Sequence, residues 1–222
     1  MQRQTLYEDE NNLLIEEAKG GTFMQTNNQA VIKPLCEAEV SAIYHDHAVY
    51  DFPKAELKPL STMLKLMKSG DYLCYGLFEG EGLRAYAFFV KNGVFLLLDY
   101  YAVCRGYRSS GYGSQFLSML RNTCRGIHGI ILEVEAPDCA LNEEELTIRT
   151  RRIDFYERSG VRKTSLTSVL FDVDYDIMYL PCEGDYPDEQ LREELLAIYR
   201  KMISQEAFEN RLKVREPGAP RV

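Results

Sequence analysis

The chain has 222 residues, 26 of them basic and 34 acidic, for a formal net charge of −8. That length fits one domain with additions or two small ones, and an apolar share of 45% is enough for a sizeable core. The negative balance argues against a general nucleic-acid binder, whose affinity depends on neutralising phosphates, and no apolar run reaches the ~18 to 20 residues of a membrane span.

Residues 1–29 are polar and irregular, broken by Gly20-Gly21 and Asn27-Asn28, and are expected to form an N-terminal extension. The first ten residues lack the apolar core of a signal peptide. The cysteines, Cys36, Cys74, Cys104, Cys124, Cys139 and Cys182, include no Cys-x-x-Cys pair. Both features lead to the expectation of reduced thiols and a cytoplasmic location. A short strand is expected over 30–33, helical spacing over 35–49, and a second short helix over 60–67. Apolar runs at 72–78 and 83–90, joined by Glu79-Gly80-Glu81-Gly82, read as a hairpin. The tight turn Lys91-Asn92-Gly93 then leads into a strongly apolar strand, 94–103.

Residues 103–113, Val-Cys-Arg-Gly-Tyr-Arg-Ser-Ser-Gly-Tyr-Gly, carry most of the functional information. They stand between that strand and a stretch with Phe116, Leu117, Leu120 and Cys124 at helical spacing. A glycine-rich turn between strand and helix aims backbone N–H groups at one point, where the helix dipole is positive, and so suits a phosphate. Gly111 and Gly113 are expected to let the backbone approach the anion, because neither has a Cβ. The spacing fits neither a P-loop nor a dinucleotide fingerprint. An ordinary strand-to-helix turn is the plain alternative.

Arg108-x-x-Gly111-x-Gly113 resembles the Arg/Gln-x-x-Gly-x-Gly/Ala loop of the GNAT acyltransferase superfamily. The context adds to the likeness. A second apolar strand, Gly129-Ile-Ile-Leu-Glu-Val-Glu135, follows. Residues 152–161, Arg-Ile-Asp-Phe-Tyr-Glu-Arg-Ser-Gly-Val, resemble the family's later Phe/Leu-Tyr-Glu-x-x-Gly-Phe helix. The likeness spans 30–181 and is strongest over 95–161. It implies an α/β fold with a centrally splayed, mixed sheet and helices on both faces. It also implies an acetyl-CoA donor, with the pantetheine arm between the splayed strands. The main chain at Tyr101 and Val103 would then hold the pantetheine amides, and Arg108, Ser109, Ser110, Gly111, Tyr112, Gly113 and Ser114 the pyrophosphate. No metal is implied.

Two side chains are candidates for the chemistry. Tyr156 matches the motif tyrosine, which in the family often gives a proton to the departing thiolate; the alternative is a core aromatic on an amphipathic helix. Glu133 matches a glutamate that acts as general base in some members. A carboxylate inside a sheet calls for a partner, and the alternative is an ion pair with Arg149 or Arg152. Glu135, two residues on, and Asp99, on the other splayed strand, are substitutes for the base. The chain departs from the family at Arg149 and Arg152, where many members have Asn and Ala, and at Val161. Its loop over 136–145 is long and acidic; the two arginines are candidates to meet CoA phosphates or Glu143, Glu144 or Glu145, and a solvated helix face is the plain alternative.

Closing strands are expected over 166–171 and 175–180. Beyond them Leu191, Leu195, Ile198 and Met202 fall at i, i+4, i+7 and i+11, an extra amphipathic C-terminal helix outside the common core. Its first half is expected to dock on the chain's own core, and a homodimer is the other way of covering it. The organisation is thus 1–29 extension, 30–182 acyl-CoA-binding domain, 183–216 C-terminal helix and 217–222 tail. His45-Asp46-His47 does not make a metal site at helical spacing. Asp172-x-Asp174-x-Asp176 lacks the glycine of a calcium loop and alternates as a strand. The expected activity is transfer of an acetyl group to a primary amine of a small molecule or protein, with a non-catalytic acyl-CoA-binding module as the alternative. Tyr50, Asp51, Phe52 and Tyr175 are candidates to line the acceptor pocket.

Overall fold

A computed structural model describes residues 29–123 and 126–215. The expected extension, apart from residue 29, lies outside the described residues, as do Cys124 and the tail. The elements run β1 (Val31–Pro34), α1 (Glu37–Ile43), a wide π turn (Tyr44–Ala48), α2 (Val49–Asp51), α3 (Leu60–Ser69), β2 (Tyr72–Glu79), β3 (Gly82–Asn92) and β4 (Phe95–Val103). After the glycine-rich loop come α4 (Tyr112–Thr123), β5 (Gly129–Glu135), α5 (Glu143–Arg158), β6 (Arg162–Leu170), β7 (Val173–Pro181), α6 (Asp188–Met202), α7 (Gln205–Arg211) and β8 (Leu212–Arg215).

The strands form one sheet in the order β1-β2-β3-β4-β5-β7-β6-β8. Only β4 and β5 pair in parallel; every other neighbouring pair is antiparallel. Alternation sends each strand's apolar residues to both faces, and both faces are covered. Against one lie α1, α3 and α6, burying Val40, Met63, Phe88, Leu97, Ile177 and Leu195. Against the other lie α4 and α5, burying Phe89, Leu96, Phe116, Leu120, Leu132 and Ile153. Each such side chain contributes about 1.5 to 3 kcal/mol when fully buried.

The expected elements are present, with four differences of extent. The helical stretch over 35–49 is not one helix, because it loosens into the π turn at Tyr44–Ala48. β6 begins at Arg162, earlier than expected, and its register against β7 is irregular between Lys163 and Thr167. The buried Thr164 hydroxyl bridges that irregularity, donating to the Ile177 carbonyl at 2.6 Å and accepting from the Leu166 N–H at 3.1 Å. Glu143–Glu145, expected in a loop, are the first turn of α5. Asn142 caps that turn by accepting the Glu145 N–H at 2.9 Å, and the acidic residues suit the positive end of the helix dipole.

The fourth difference is at the C-terminal end. The amphipathic helix is present as α6, with Leu191, Leu195 and Ile198 buried on the chain's own core. It stops at Met202, and Ser204 caps a short second helix by accepting the Ala207 N–H at 3.2 Å. β8 then pairs with β6 and lengthens the sheet. Asp174 and Asp176 lie in the strand β7, as expected, while Asp172 is in the turn before it, and among the described residues no cluster of ligating side chains fits a metal ion. No helix of the described residues is long and apolar enough to cross a membrane.

Candidate active site

The centre of the sheet opens. β4 and β5 pair only from Phe95↔Gly129 to Leu98↔Leu132. Past that point β4 stays with β3 and β5 stays with β7. The cause is local: Phe89 pairs with Leu98 and Phe88 with Tyr100, so Asp99 is an extra residue, a β-bulge. A bulge bends its strand and raises the local twist, and this one turns the end of β4 away from β5.

Among the described residues, no strand pairs with the opened edge of β4. The Cys104 N–H donates to the Arg84 carbonyl at 2.9 Å. By the alternation of an antiparallel ladder, Ala102 and Tyr100 also face β3, so the N–H and C=O groups of Tyr101 and Val103 face the opening. Those are the two residues expected to meet pantetheine. The Val103 carbonyl accepts from the Arg108 Nε at 3.3 Å.

At the outer end of β4 lies the glycine-rich loop. Ser109, Ser110, Gly111 and Ser114 are exposed, and Tyr112 is partly buried. The first helical bond of α4 runs from the Gln115 N–H to the Gly111 carbonyl at 3.1 Å, so the N–H groups of Tyr112, Gly113 and Ser114 have no partner within the helix. Gly111 has φ +89° and open space where a Cβ would stand, which suits both a left-handed turn and close approach of an anion. Gly113 also has a packing task. A Cβ there would lie 3.1 Å from the Phe155 ring, so its lack of a side chain lets α4 pack against α5. The Arg108 side chain also turns away from the helix end: its guanidinium binds the buried Asp51 carboxylate at 2.7 Å. Tyr86 donates to the same carboxylate at 2.9 Å. Arg108 therefore straps the loop to α2.

The two candidate catalytic side chains flank the opening from opposite faces. Tyr156, on α5, is buried beside Tyr101, with ring centroids 6.5 Å apart. Burial pushes its hydroxyl up to about 12, with Arg152 opposing slightly. It therefore holds its proton at neutral pH, and among the described residues that hydroxyl has no hydrogen-bond partner.

Glu133, the first β5 residue past the pairing with β4, lies on the α6 face. Neither Arg149 nor Arg152 reaches it. It accepts hydrogen bonds from the hydroxyls of Tyr199, on α6, and Ser168, on β6, the second at 3.2 Å. Desolvation pushes its carboxyl up to about 7; the Ser168 bond opposes this, Asp99 adds to it and Lys58 opposes it. A carboxylate that titrates near neutrality suits proton exchange. Glu135, its substitute, binds Arg149 and Arg152 at 3.1 Å each, so both of its oxygens are engaged by guanidinium groups. Arg149 also reaches Glu145, at 3.3 Å, so part of the expected bridge to the acidic stretch is present. Asp99, the other substitute, accepts from the Tyr72 hydroxyl at 2.5 Å and pairs with the Lys58 ammonium at 2.5 Å.

Of the residues expected to line an acceptor pocket, Tyr50 and Asp51 border a cavity of about 370 Å³ with His47, Cys104 and Arg105. Phe52 packs on the Tyr100 ring at 4.9 Å. Tyr175 lies near Glu133, whose charge helps raise its hydroxyl above the usual tyrosine range, although burial is the larger cause. Sequence reasoning missed Tyr199, Ser168, Lys58 and Tyr72. All four come from elements distant in the chain, and none carries a local pattern.

No protein-family model matches the sequence, and no curated protein matches it. Solved structures do. A putative acetyltransferase of the GNAT family from Bacteroides thetaiotaomicron is 21% identical, with a TM-score of 0.61 over 80% of this chain and 98% of that one. The ribosomal-protein-S18-alanine N-acetyltransferase from Escherichia coli is 22% identical, with a TM-score of 0.52 over 71% of this chain and 97% of that one. A putative acetyltransferase from Salmonella typhimurium, solved with its cofactor acetyl-CoA, is 18% identical, with a TM-score of 0.50 over 71% and 96%. This chain, a mixed sheet opened between its two parallel strands and covered by helices on both faces, has the fold of the GNAT acetyltransferases.

Proposed function

We propose that the protein transfers an acetyl group from acetyl-CoA to a primary amine by direct attack. The observation that carries this reading is the opening between β4 and β5. It has main chain along β4 that no described strand pairs with, a glycine-rich helix start at its outer end, and Tyr156 and Glu133 on its two faces. The likeness to a structure solved with acetyl-CoA supports the donor.

In this reading the pyrophosphate lies on the N–H groups at the start of α4, where dipole and unpaired donors favour an anion. The pantetheine arm lies along Tyr101 and Val103, and a free N–H of β4 polarises the thioester carbonyl. Glu133 takes a proton from the incoming ammonium, since an ammonium has no lone pair. The amine attacks the carbonyl carbon, the C–S bond breaks, and Tyr156 protonates the departing thiolate from the opposite face. The 30–182 segment supplies this machinery, while 183–216 adds Tyr199 behind the base.

Titration calorimetry with acetyl-CoA, followed by measurement of CoA release with a panel of amines, tests the proposal. Binding with amine-dependent release is expected. Absence of binding overturns the donor assignment. Binding without release across broad panels would favour a non-catalytic acyl-CoA module.

A further inference from the structure

Lys58 is held against Asp99, at the point where β4 and β5 part. Its segment is pinned to β4 one residue past the bulge: the Tyr100 hydroxyl accepts the Lys58 N–H at 2.8 Å and donates to the Glu56 carbonyl at 2.8 Å. The side chain then runs over the Tyr100 ring, 5.4 Å from its centroid, to Asp99. Asp99 and Glu133 are the first residues past the last β4–β5 pair, one on each strand. The ammonium therefore stands at the vertex of the opening, on the Glu133 face and opposite Tyr156. Val103, at the phosphate end, is four residues or ~13 Å of strand away.

We propose that the protein acetylates its own Lys58, an inference that rests on the acetyl-CoA reading above. Lys58 passes a proton to its carboxylate partner Asp99, and the neutral Nζ attacks the thioester carbonyl carbon. The C–S bond breaks, Tyr156 protonates the thiolate and recovers its proton from solvent, and the amide nitrogen loses its remaining extra proton. The net products are acetyl-Lys58, CoA thiol and one proton. Acetylation removes the positive charge that faces Asp99. It leaves that carboxylate at the vertex free to receive a different cationic amine.

Exposure and reactivity are expected to diverge, which makes the proposal testable. The Lys58 side chain is 24% exposed and that of Lys68 is 68% exposed. Untargeted chemical acetylation favours Lys68; a lysine placed at the thioester is favoured by proximity and by its base. The experiment incubates the full chain with acetyl-CoA and no added amine, then follows intact mass and peptide maps over a range of protein concentrations. The expected result is one acetyl group per chain, on Lys58, formed at least about 100-fold faster than on Lys68. The rate is expected to be independent of protein concentration and the label absent from Lys58→Arg. Three results would overturn the proposal: modification ordered by exposure, a rate that rises with protein concentration, or an unmodified Lys58 in a chain that binds acetyl-CoA by calorimetry. The last leaves the acetyltransferase reading standing. A chain that fails to bind acetyl-CoA loses both.

Discussion

The two faces of the opened sheet are built on different principles. The α4–α5 face is assembled from neighbours in sequence. The strand β4, the glycine-rich loop and α4 are consecutive, and Tyr156 follows one strand later. The α6 face is assembled from distant parts: Lys58 before α3, Asp99 at the bulge, Glu133 on β5, Ser168 on β6 and Tyr199 on α6. The first face depends on backbone geometry, with left-handed turns, free N–H groups and a helix start. The second depends on side chains that hold one another's charge. In the proposed reaction the donor is held by the first, while the acceptor meets the second.

The largest effect is expected on the side-chain face. Glu133→Gln removes the proposed base and should lower kcat by about 100- to 10,000-fold. In the wild-type protein kcat should rise with pH through about 7, where Glu133 ionises. The variant should lose that limb, and an unchanged pH–rate profile would pass the role to Asp99 or a water chain. Stability should move the other way. The folded-state value of about 7 lies above the ordinary 4.5, so the folded protein binds the extra proton between them. Stability is therefore full below about pH 4.5 and falls as pH rises towards 7, by up to about 3 kcal/mol. Thermal melts should show Glu133→Gln gaining on the wild type at pH 8 and not at pH 4.5.

On the backbone face, Gly111→Val is expected to weaken acetyl-CoA binding by about 10- to 100-fold. A β-branched residue at φ +89° carries about 1 to 3 kcal/mol of strain, and it crowds the space an anion would use. Calorimetry at a temperature where the variant's melting curve shows it fully folded checks this, and unchanged affinity would remove the loop from the donor site. Tyr156→Phe should cost less, about tenfold in kcat with acetyl-CoA affinity retained, because a thiolate also leaves unprotonated. Equal kcat across the pH range would make Tyr156 a packing residue.

This contrast explains what the sequence disclosed. The strands, the loop and α4 are local patterns, and apolar periodicity with glycine spacing reveals them. Glu133 is visible in the sequence as a carboxylate in an apolar strand, but its partners are not: the ion pair with Arg149 or Arg152, the alternative to a base role, is made by Glu135 instead. Alternation along a strand tells which face a residue takes, not which distant helix meets it. The bulge at Asp99 was hidden for a related reason. It is a property of the β3–β4 register, and neither strand alone specifies that register. The packing of Gly113 against Phe155 is hidden in the same way, because it depends on a helix distant in the chain.

The smallest effect is also the one that joins the faces. Tyr199 belongs to the added C-terminal helix, is fully buried, and donates its hydroxyl to Glu133. A hydrogen bond to a carboxylate favours the charged form and is worth about 1.5 to 3 kcal/mol. Removing it in Tyr199→Phe should move the Glu133 ionisation upward by about one unit. At pH 7 the ionised fraction falls, and kcat should drop about fivefold. At pH 9 the carboxylate is ionised again, so kcat should approach the wild-type value. A purely structural role for Tyr199 would lower kcat by the same factor at every pH. The pH–rate profile of this one variant therefore decides whether α6 only covers the sheet or also sets the working pH of the base beneath it.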